Sequence, residues 1–249
     1  MLTAVERKAP LDQIGHIVLT HQEPDAGSSL PLWREVYLDG LKVHVPWLWM
    51  GYVSHYDREC DFVAIPDDGM EICFGDGGHL QLIPVHFLHW PGNFSVFDPK
   101  AKALFSGDVG GALVPPDDRD GFVVKDFERH IQFMRGSHQR WKGSPAARDD
   151  WVRRISALAP EIIVPQRGLA FTGENAGRFL DWFETLEIGT VILGGMPSTL
   201  AMQPVPSAEP ISAETPAPAP EKEKEKKKPA VSPVFGAGKP LARALKEQG

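Results

Sequence analysis

The stretch that decides the fold is Leu19-Thr20-His21-Gln22-Glu23-Pro24-Asp25-Ala26-Gly27-Ser28-Ser29. It continues an apolar run from Ile17 that predicts a buried strand, so its polar side chains fall in the loop at the carboxyl end of that strand. Open α/β sheets bind ligands in that position. His21, Glu23 and Asp25 alternate along the chain and would project to one side of an extended loop. Three ligating groups on one loop indicate a metal site, and the competing interpretation is an acidic turn with a surface histidine.

A second cluster of ligating side chains lies downstream. His89 follows the predicted strand at residues 80–85, and Asp108 ends a Phe-Ser-Gly-Asp sequence. Eighteen residues separate His89 from Asp108, and the turn at residues 98–100 divides them into two apolar runs that predict a hairpin. Because a hairpin returns both loops to the same edge of the sheet, we expect His89 and Asp108 to share one ion.

The order His-x-Glu-x-Asp, then His-Trp-Pro, then Phe-Ser-Gly-Asp resembles the di-iron branch of the metallo-β-lactamase fold. That branch contains the flavodiiron O2/NO reductases and the stand-alone oxygen-binding di-iron proteins. The resemblance covers about residues 11–187 and implies an α/β fold, a metallo-β-lactamase-like αββα sandwich. Carried over position by position, it implies two iron ions with this ligand set: His21, Glu23 and His89 on the first, Asp25 on the second, and Asp108 bridging both.

The amino-terminal part departs from the resembled family, which has several strands before this loop. Only twenty residues precede His21. We therefore expect the N-terminal strands to be shortened or missing, unless another chain completes the sheet or the sequence starts late. An unpaired sheet edge favours association, so the sequence predicts a homodimer.

The ligand types favour iron over zinc. Zinc hydrolases of this fold use a His-x-His-x-Asp-His loop, whereas this chain has Glu23 in place of the second histidine and Ala26 in place of the last. Replacing imidazole with carboxylate favours harder, redox-active ions. A zinc or manganese hydrolase is the alternative that the fold leaves open.

The last ligand expected from the resemblance is missing. The family has a histidine in a Pro-x-His-Gly turn, and this chain reads Pro165-Gln166-Arg167-Gly168. A guanidinium offers no lone pair to a metal. The outcomes left open are a weak second site, a single-metal site, a site rebuilt with another histidine, an ion pair of Arg167 with Asp25 or Asp108, and an Arg167 that points to solvent.

Two further residues near His89 are candidates for modifying the site. His86 is the most plausible replacement ligand, although its odd spacing from His89 turns it to the opposite face of an extended chain. Trp90 either walls the pocket or packs in the core. His130 and His138 fall in a helix predicted over residues 125–141 and are interpreted as surface or satisfied histidines. Other helices are predicted at 30–36, 46–55, 146–158 and 174–187.

Composition limits the remaining classes. The 249 residues are 42% hydrophobic, which suffices for one folded domain, predicted at residues 1–195. The net charge of -7 gives no reason to expect nucleic-acid binding. Cys60 and Cys73 form no recognisable disulfide or redox motif. We find neither a signal peptide nor an apolar run long enough to span a membrane, which makes the cytoplasm the expected location.

The carboxyl-terminal residues 196–249 differ sharply in composition. They hold ten of the 23 prolines and an alternating Glu/Lys run at residues 221–228, which together predict a disordered tail. Residues 240–246 are compatible with a short basic amphipathic helix that docks on a partner protein or an acidic surface, and an unstructured, solvated end is the favoured interpretation.

Three functions follow from these patterns. The first is a non-haem iron protein that binds or reduces O2 or NO as a sensor or scavenger. No phosphate loop follows a strand and no flavodoxin-like sequence is present, so this chain is expected to bind no flavin and to need an external electron donor. The second is a metal-dependent hydrolase, and the third is a non-catalytic interaction module. If the protein is an enzyme, the sequence favours an oxidoreductase.

Overall fold

The computed structural model describes residues 5–36, 40–119 and 121–189, and within them nine strands form two sheets. The strands of the first sheet are β1 His16–Val18, β2 Lys42–Pro46 and β3 Asp61–Ile65. Those of the second are β4 Met70–Cys73, β5 His79–Pro84, β6 Phe94–Asp98, β7 Ala103–Gly107, β8 Ile162–Pro165 and β9 Phe171–Thr172. The helices are α1 Pro24–Gly27, α2 Leu30–Val36, α3 Met50–Val53, α4 Phe127–Gln132, α5 Arg135–Trp141, α6 Pro145–Leu158 and α7 Glu174–Thr185. Short 3-10 turns lie at Leu11–Gln13, Trp47–Trp49 and Pro116–Asp118.

The first sheet is small and parallel. Its strand order is β1-β2-β3, with Ile17 opposite Val43 and Val43 opposite Phe62. β1 contains three residues, and no strand precedes it in residues 5–36. The predicted shortening of the N-terminal strands is therefore confirmed.

The second sheet runs from β4 to β9 in sequence order. Its neighbouring strands are antiparallel except β7 and β8, which are parallel and joined through α4 to α6. The predicted hairpin is the pair β6–β7, with Val96 opposite Phe105. It returns the chain after β7 to the end of the sheet from which the loop after β5 departs, as the spacing of His89 and Asp108 required.

Three apolar clusters show that the layers are helix, sheet, sheet and helix. One cluster joins the outer face of the first sheet to α2 and α3 through Val43, Val45, Leu30 and Val53. A second lies between the sheets, where Ile65 and Val18 meet Leu82 and Val96. The largest joins the second sheet to the later helices and includes Trp151, Phe179 and Phe183, each with no exposed surface. This arrangement is the predicted αββα sandwich.

Two predicted helices are corrected. The helix predicted at 125–141 is divided into α4 and α5, because the backbone leaves helical geometry at Met134 (φ -120°, ψ -23°) while its side chain is fully buried. The helix predicted at 46–55 begins as a 3-10 turn and becomes α-helical only at Met50. The start of α6 follows the prediction: the Ser144 hydroxyl accepts from the Ala147 amide, and Pro145 occupies the first turn.

In the part of the chain that the structure describes, no helix is long and apolar enough to cross a membrane. The predicted tail at residues 196–249 lies outside the described residues.

Candidate metal centre

Four of the predicted ligands converge at one edge of the sandwich. Nε2 of His21 lies 3.6 Å from Oε2 of Glu23 and 3.8 Å from Oδ2 of Asp108. Nε2 of His89 lies 3.4 Å from Oε1 of Glu23, and its Nδ1 lies 2.8 Å from Oδ2 of Asp108. His21, Glu23 and Asp108 each offer one ligand atom within 4.8 Å of the others. The three segments that the sequence singled out therefore meet at one point.

Local backbone geometry brings these side chains together. His21 directly follows Thr20, whose carbonyl accepts from the Phe94 amide and so ties the end of β1 to the second sheet. Gly107 ends β7 with φ +63°, a left-handed conformation that suits glycine and turns Asp108 into the site. His89 lies in a tight loop after β5, in which the Phe87 amide donates to the Trp90 carbonyl.

Nε2 of His21 and Nε2 of His89 are buried without a hydrogen-bond partner, and buried Oδ2 of Asp108 has only its 2.8 Å contact with Nδ1 of His89. Unpartnered buried polar atoms are rare in folded proteins because they lose hydration without compensation. The other nitrogen of His21, Nδ1, is hydrogen-bonded to Oγ1 of Thr20 at 2.9 Å, which orients the ring as a neighbouring group commonly does for a metal ligand. His21, Glu23 and Asp108 therefore fit a bound metal ion, and His89 lies beside them in contact with Glu23 and Asp108.

The protonation states suit a cation. Burial lowers the pKa of His21, and the charges of Asp108 and Glu23 only partly oppose this. Burial acts to raise the pKa of Asp108, but contact with His89 and the positive charge of Lys142 hold it well below its usual range. A neutral imidazole and an ionised carboxylate are the forms that bind metals.

Asp25 does not join the other four ligands, which corrects the predicted geometry. Pro24 begins α1 directly after Glu23, so the chain leaves the extended conformation on which the alternation of residues 21–25 depended. One carboxylate oxygen of Asp25, Oδ2, accepts from Nη2 of Arg167 and, at 3.0 Å, from Nε2 of Gln166. Among the outcomes left open for Arg167, the structure has an ion pair with Asp25.

His86 does not replace the missing ligand. Its Nδ1 accepts from the Gly92 amide at 2.9 Å, and its Nε2 lies 2.9 Å from the Asp67 carbonyl. Both ring nitrogens of His86 are therefore used in fixing the loop after β5.

Two tryptophans border the centre. The Trp90 ring stacks on His89 with centroids 5.5 Å apart, and its Nε1 donates to Oε1 of Glu23 at 3.0 Å. Trp141, which the sequence did not single out, lies on His89 with centroids 4.8 Å apart. Trp90 thus walls the site and also orients one of its carboxylates.

A cavity of about 300 Å³ adjoins the centre and reaches Glu23, His89 and Asp108. Its lining also includes Lys142, which is 2% exposed and donates from Nζ to the Asp108 carbonyl at 3.1 Å. Burial lowers the pKa of Lys142 to about 8. Sequence analysis missed this residue, although its spacing from the buried Met134 and His138 places it on the same i, i+4 row.

His138 is a satisfied buried histidine, as predicted. Its Nε2 accepts from the Gly110 amide at 2.8 Å, and its Nδ1 donates to the Met134 carbonyl at 2.9 Å. His130 is buried as well and packs edge-on against Phe171, but its Nε2 has no hydrogen-bond partner, so the prediction of a surface or satisfied histidine was wrong for this residue.

Comparison with known proteins identifies the family. Residues 1–168 match the family model described as ODP family beta lactamase. The chain is 35% identical to the chemotaxis sensor ODP from T. denticola, whose apo structure superposes with a TM-score of 0.70 over 76% of each chain. A structure described as the peroxy diiron species of chemotaxis sensor ODP superposes with a TM-score of 0.69 over 76% of this chain and 78% of the other.

Proteins of lower sequence identity also match this chain. A flavoprotein from Thermotoga maritima is 21% identical, with a TM-score of 0.64 over 74% of this chain and 45% of that one. An uncharacterized protein of Methanocaldococcus jannaschii is 26% identical over 134 residues. This chain spans 33% of the length of that curated relative. The match to the family model covers about two thirds of the sequence and agrees with the convergence of His21, Glu23, His89 and Asp108. The chain belongs to the ODP beta-lactamase family.

Proposed function

We propose that this chain is a non-haem iron protein that binds or reduces O2 or NO, acting as an oxygen sensor or scavenger with an external electron donor. The observation that carries the proposal is the group of ligand atoms on His21, Glu23 and Asp108 within 4.8 Å of one another, with the buried and unpartnered Nε2 of His21, beside a cavity. The 35% identical relative is described as a chemotaxis sensor and as a peroxy diiron species, which supports iron and oxygen chemistry.

In this proposal His21, Glu23, His89 and Asp108 hold the iron. Two imidazoles and two carboxylates form a set that suits iron better than a nitrogen-rich zinc site would. When bound, iron supplies reversible binding of O2 or NO and electron exchange with the bound gas. The protein orients the Glu23 carboxylate through Trp90 and keeps Asp108 ionised through its contacts.

The cavity provides the route for a small ligand. It adjoins the carboxylates of Glu23 and Asp108, and its walls include the apolar side chains of Leu113, Phe133 and Trp141. An uncharged diatomic gas can enter such a space without losing strong hydration. The cavity therefore admits a gas ligand, and because its lining also includes the cations Lys142 and Arg167, the spectroscopic test decides between this function and the hydrolase alternative.

Assembly, partner and location are also part of the proposal. A homodimer is supported by β1, which among the described strands pairs only with β2 and so has a free edge. Docking of residues 196–249 on a protein partner is supported by their composition alone. A reducing cytoplasm is supported by the two free cysteines, Cys60 and Cys73.

The experiment is an absorption spectrum of the Fe(II)-loaded full chain, recorded without oxygen and again after air or NO is added. We expect new visible absorption with either gas. The variant His89→Ala should lose both the iron and the spectral change, while His55→Ala, which alters an exposed histidine that is not one of the predicted ligands, should behave as the wild type. An iron-loaded protein whose spectrum does not respond to air or NO would overturn the proposal.

A further inference from the structure

We infer that the metal centre of this chain holds one iron ion, and that the guanidinium of Arg167 takes the place of a second metal beside Asp25. The inference rests on the proposed iron function and concerns how many ions the site accepts. It departs from the two ions that the resemblance implied.

Asp25 is already hydrogen-bonded within the protein. This carboxylate would be the first ligand of a second ion, yet its Oδ2 already accepts from both Arg167 and Gln166. The charge of Asp25 is therefore neutralised within the protein, whereas Nε2 of His21 and Nε2 of His89 have no hydrogen-bond partner.

The turn after β8 holds Arg167 in this position. The Arg167 carbonyl accepts from the Ala112 amide at 3.1 Å, which fastens the turn to the loop that follows Asp108. Gly168 has φ +96°, and a Cβ there would approach the Ala112 backbone at 3.1–3.2 Å, so the turn needs glycine. The guanidinium is thus presented to Asp25 by a fixed backbone.

A second metal ion would lack ligand atoms beside Asp25. A divalent transition metal in a protein takes at least about four ligands. In sequence, this chain has Ala26 and Arg167 at two positions where related sites have a histidine. Gln166 directs its amide nitrogen, a donor, toward Asp25. A second ion would therefore have only the carboxylate oxygens of Asp25 and Asp108 and solvent as ligands, with no histidine nitrogen.

The net charge of the site also disfavours a second iron ion. Glu23, Asp25 and Asp108 contribute three negative charges, and Lys142 and Arg167 contribute two positive ones. One Fe²⁺ brings the sum to +1, and a second would bring it to +3 beside a guanidinium that cannot lose its proton. Since like charges repel strongly in a partly buried site, the second ion is disfavoured as well as poorly coordinated.

A single iron also bears on the choice between sensing and scavenging. One Fe²⁺/Fe³⁺ couple stores one electron, whereas two ions would store two. The chain is therefore better suited to registering the gas than to reducing it in many turnovers. This favours the sensor side of the proposed function.

The test is the number of metal ions per chain, measured by elemental analysis after saturation of the full-length protein with Fe(II) without oxygen and removal of free metal. We expect one iron per chain. The variant Asp25→Asn should also retain about one, because Asp25 binds Arg167 rather than iron. Two irons in the wild type, or none in Asp25→Asn, would overturn the inference.

Introducing histidines at positions 26 and 167 should supply the metal ligands that a second iron needs. The double variant Ala26→His/Arg167→His should bind a second iron, and the matched control Ala26→His/Arg153→His should stay at one because Arg153 is a surface residue, 72% exposed. A folded double variant that still holds one iron would contradict the role given to Arg167. If it fails to fold, the counts for the wild type and Asp25→Asn decide.

The result also separates this inference from the proposed function. Two irons that respond to O2 would overturn the single-ion centre and leave the oxygen function standing. A protein that binds no iron after anaerobic loading would overturn both.

Discussion

Replacing Lys142 with methionine should stabilise the metal-free protein. Lys142 is 2% exposed, and its ammonium group makes one hydrogen bond, to the Asp108 carbonyl. Burial lowers its pKa from the usual 10.5 to about 8, even though Asp108 and Glu23 attract its charge. The native structure therefore holds this lysine charged at a cost, which the uncharged and similarly shaped methionine would not incur.

The magnitude follows from the two pKa values. Their difference of about 2.5, at roughly 1.4 kcal/mol for each pKa unit, corresponds to a cost of about 3 kcal/mol for burying the charged form. The lost hydrogen bond subtracts about 1 kcal/mol. Lys142→Met should therefore raise the free energy of unfolding at pH 7 by about 2 kcal/mol.

The stabilisation by Lys142→Met should decrease as the pH rises. Because the pKa of Lys142 is lower in the folded chain, the unfolded chain binds more protons between pH 8 and pH 10.5. The free energy of unfolding of the wild type therefore increases as the pH rises through that window. The difference in the free energy of unfolding between Lys142→Met and the wild type should decrease accordingly.

Urea unfolding of both metal-free proteins at pH 7 and pH 10 measures the effect, with the exposed Lys100→Met as control. We expect the control to match the wild type within about 0.5 kcal/mol. A Lys142→Met protein that is less stable than the wild type at pH 7, or whose advantage is the same at both pH values, would refute the reasoning.

Three further predictions concern the site and the core. Trp90→Phe keeps the ring on His89 but removes the N–H that binds Glu23, so iron affinity measured by chelator competition should fall about tenfold; an unchanged Kd would contradict this role. Burial lowers the pKa of His138 to about 3, so the folded chain holds this histidine neutral while the unfolded chain protonates it below about pH 6.5. The contribution of His138 to the free energy of unfolding is therefore complete above about pH 6.5 and falls by about 2 kcal/mol at pH 5. The unfolding free energy of His138→Gln should accordingly fall less between pH 7 and pH 5 than that of the wild type, and equal slopes would count against the assignment. Phe179→Ala removes a fully buried ring stacked on Phe171 at 4.5 Å and should lower the free energy of unfolding by about 3–5 kcal/mol, whereas a loss under 1 kcal/mol would show that the core collapses around the gap.

Most of the sandwich was predictable from local patterns. The apolar runs that became β5 to β8 are bounded by strong turn residues, and the hairpin β6–β7 followed from its spacing alone. The division between α4 and α5 was not predictable, because the amphipathic pattern continues through Phe133 and Met134 while the backbone break depends on how Met134 packs. Tertiary packing here outweighs a continuous helical periodicity.

The site was only partly predictable. The structure brings His21, Glu23, His89 and Asp108 together, and their role as ligands stays a prediction. The alternation argument assumed an extended chain around Asp25, whereas Pro24 begins a helical turn. The ion pair of Asp25 with Arg167 was one of several outcomes left open, because no local pattern decides a pairing between residues about 140 positions apart.

The central claim is a single iron centre that binds a diatomic gas. Its most direct test is an anaerobic titration of the Fe(II)-loaded full chain with NO, followed by visible absorption and expressed per chain. The account predicts a new band that saturates at one NO per chain. A spectrum unchanged by NO would contradict the oxygen and NO function, and saturation at two NO per chain would contradict the single-iron centre.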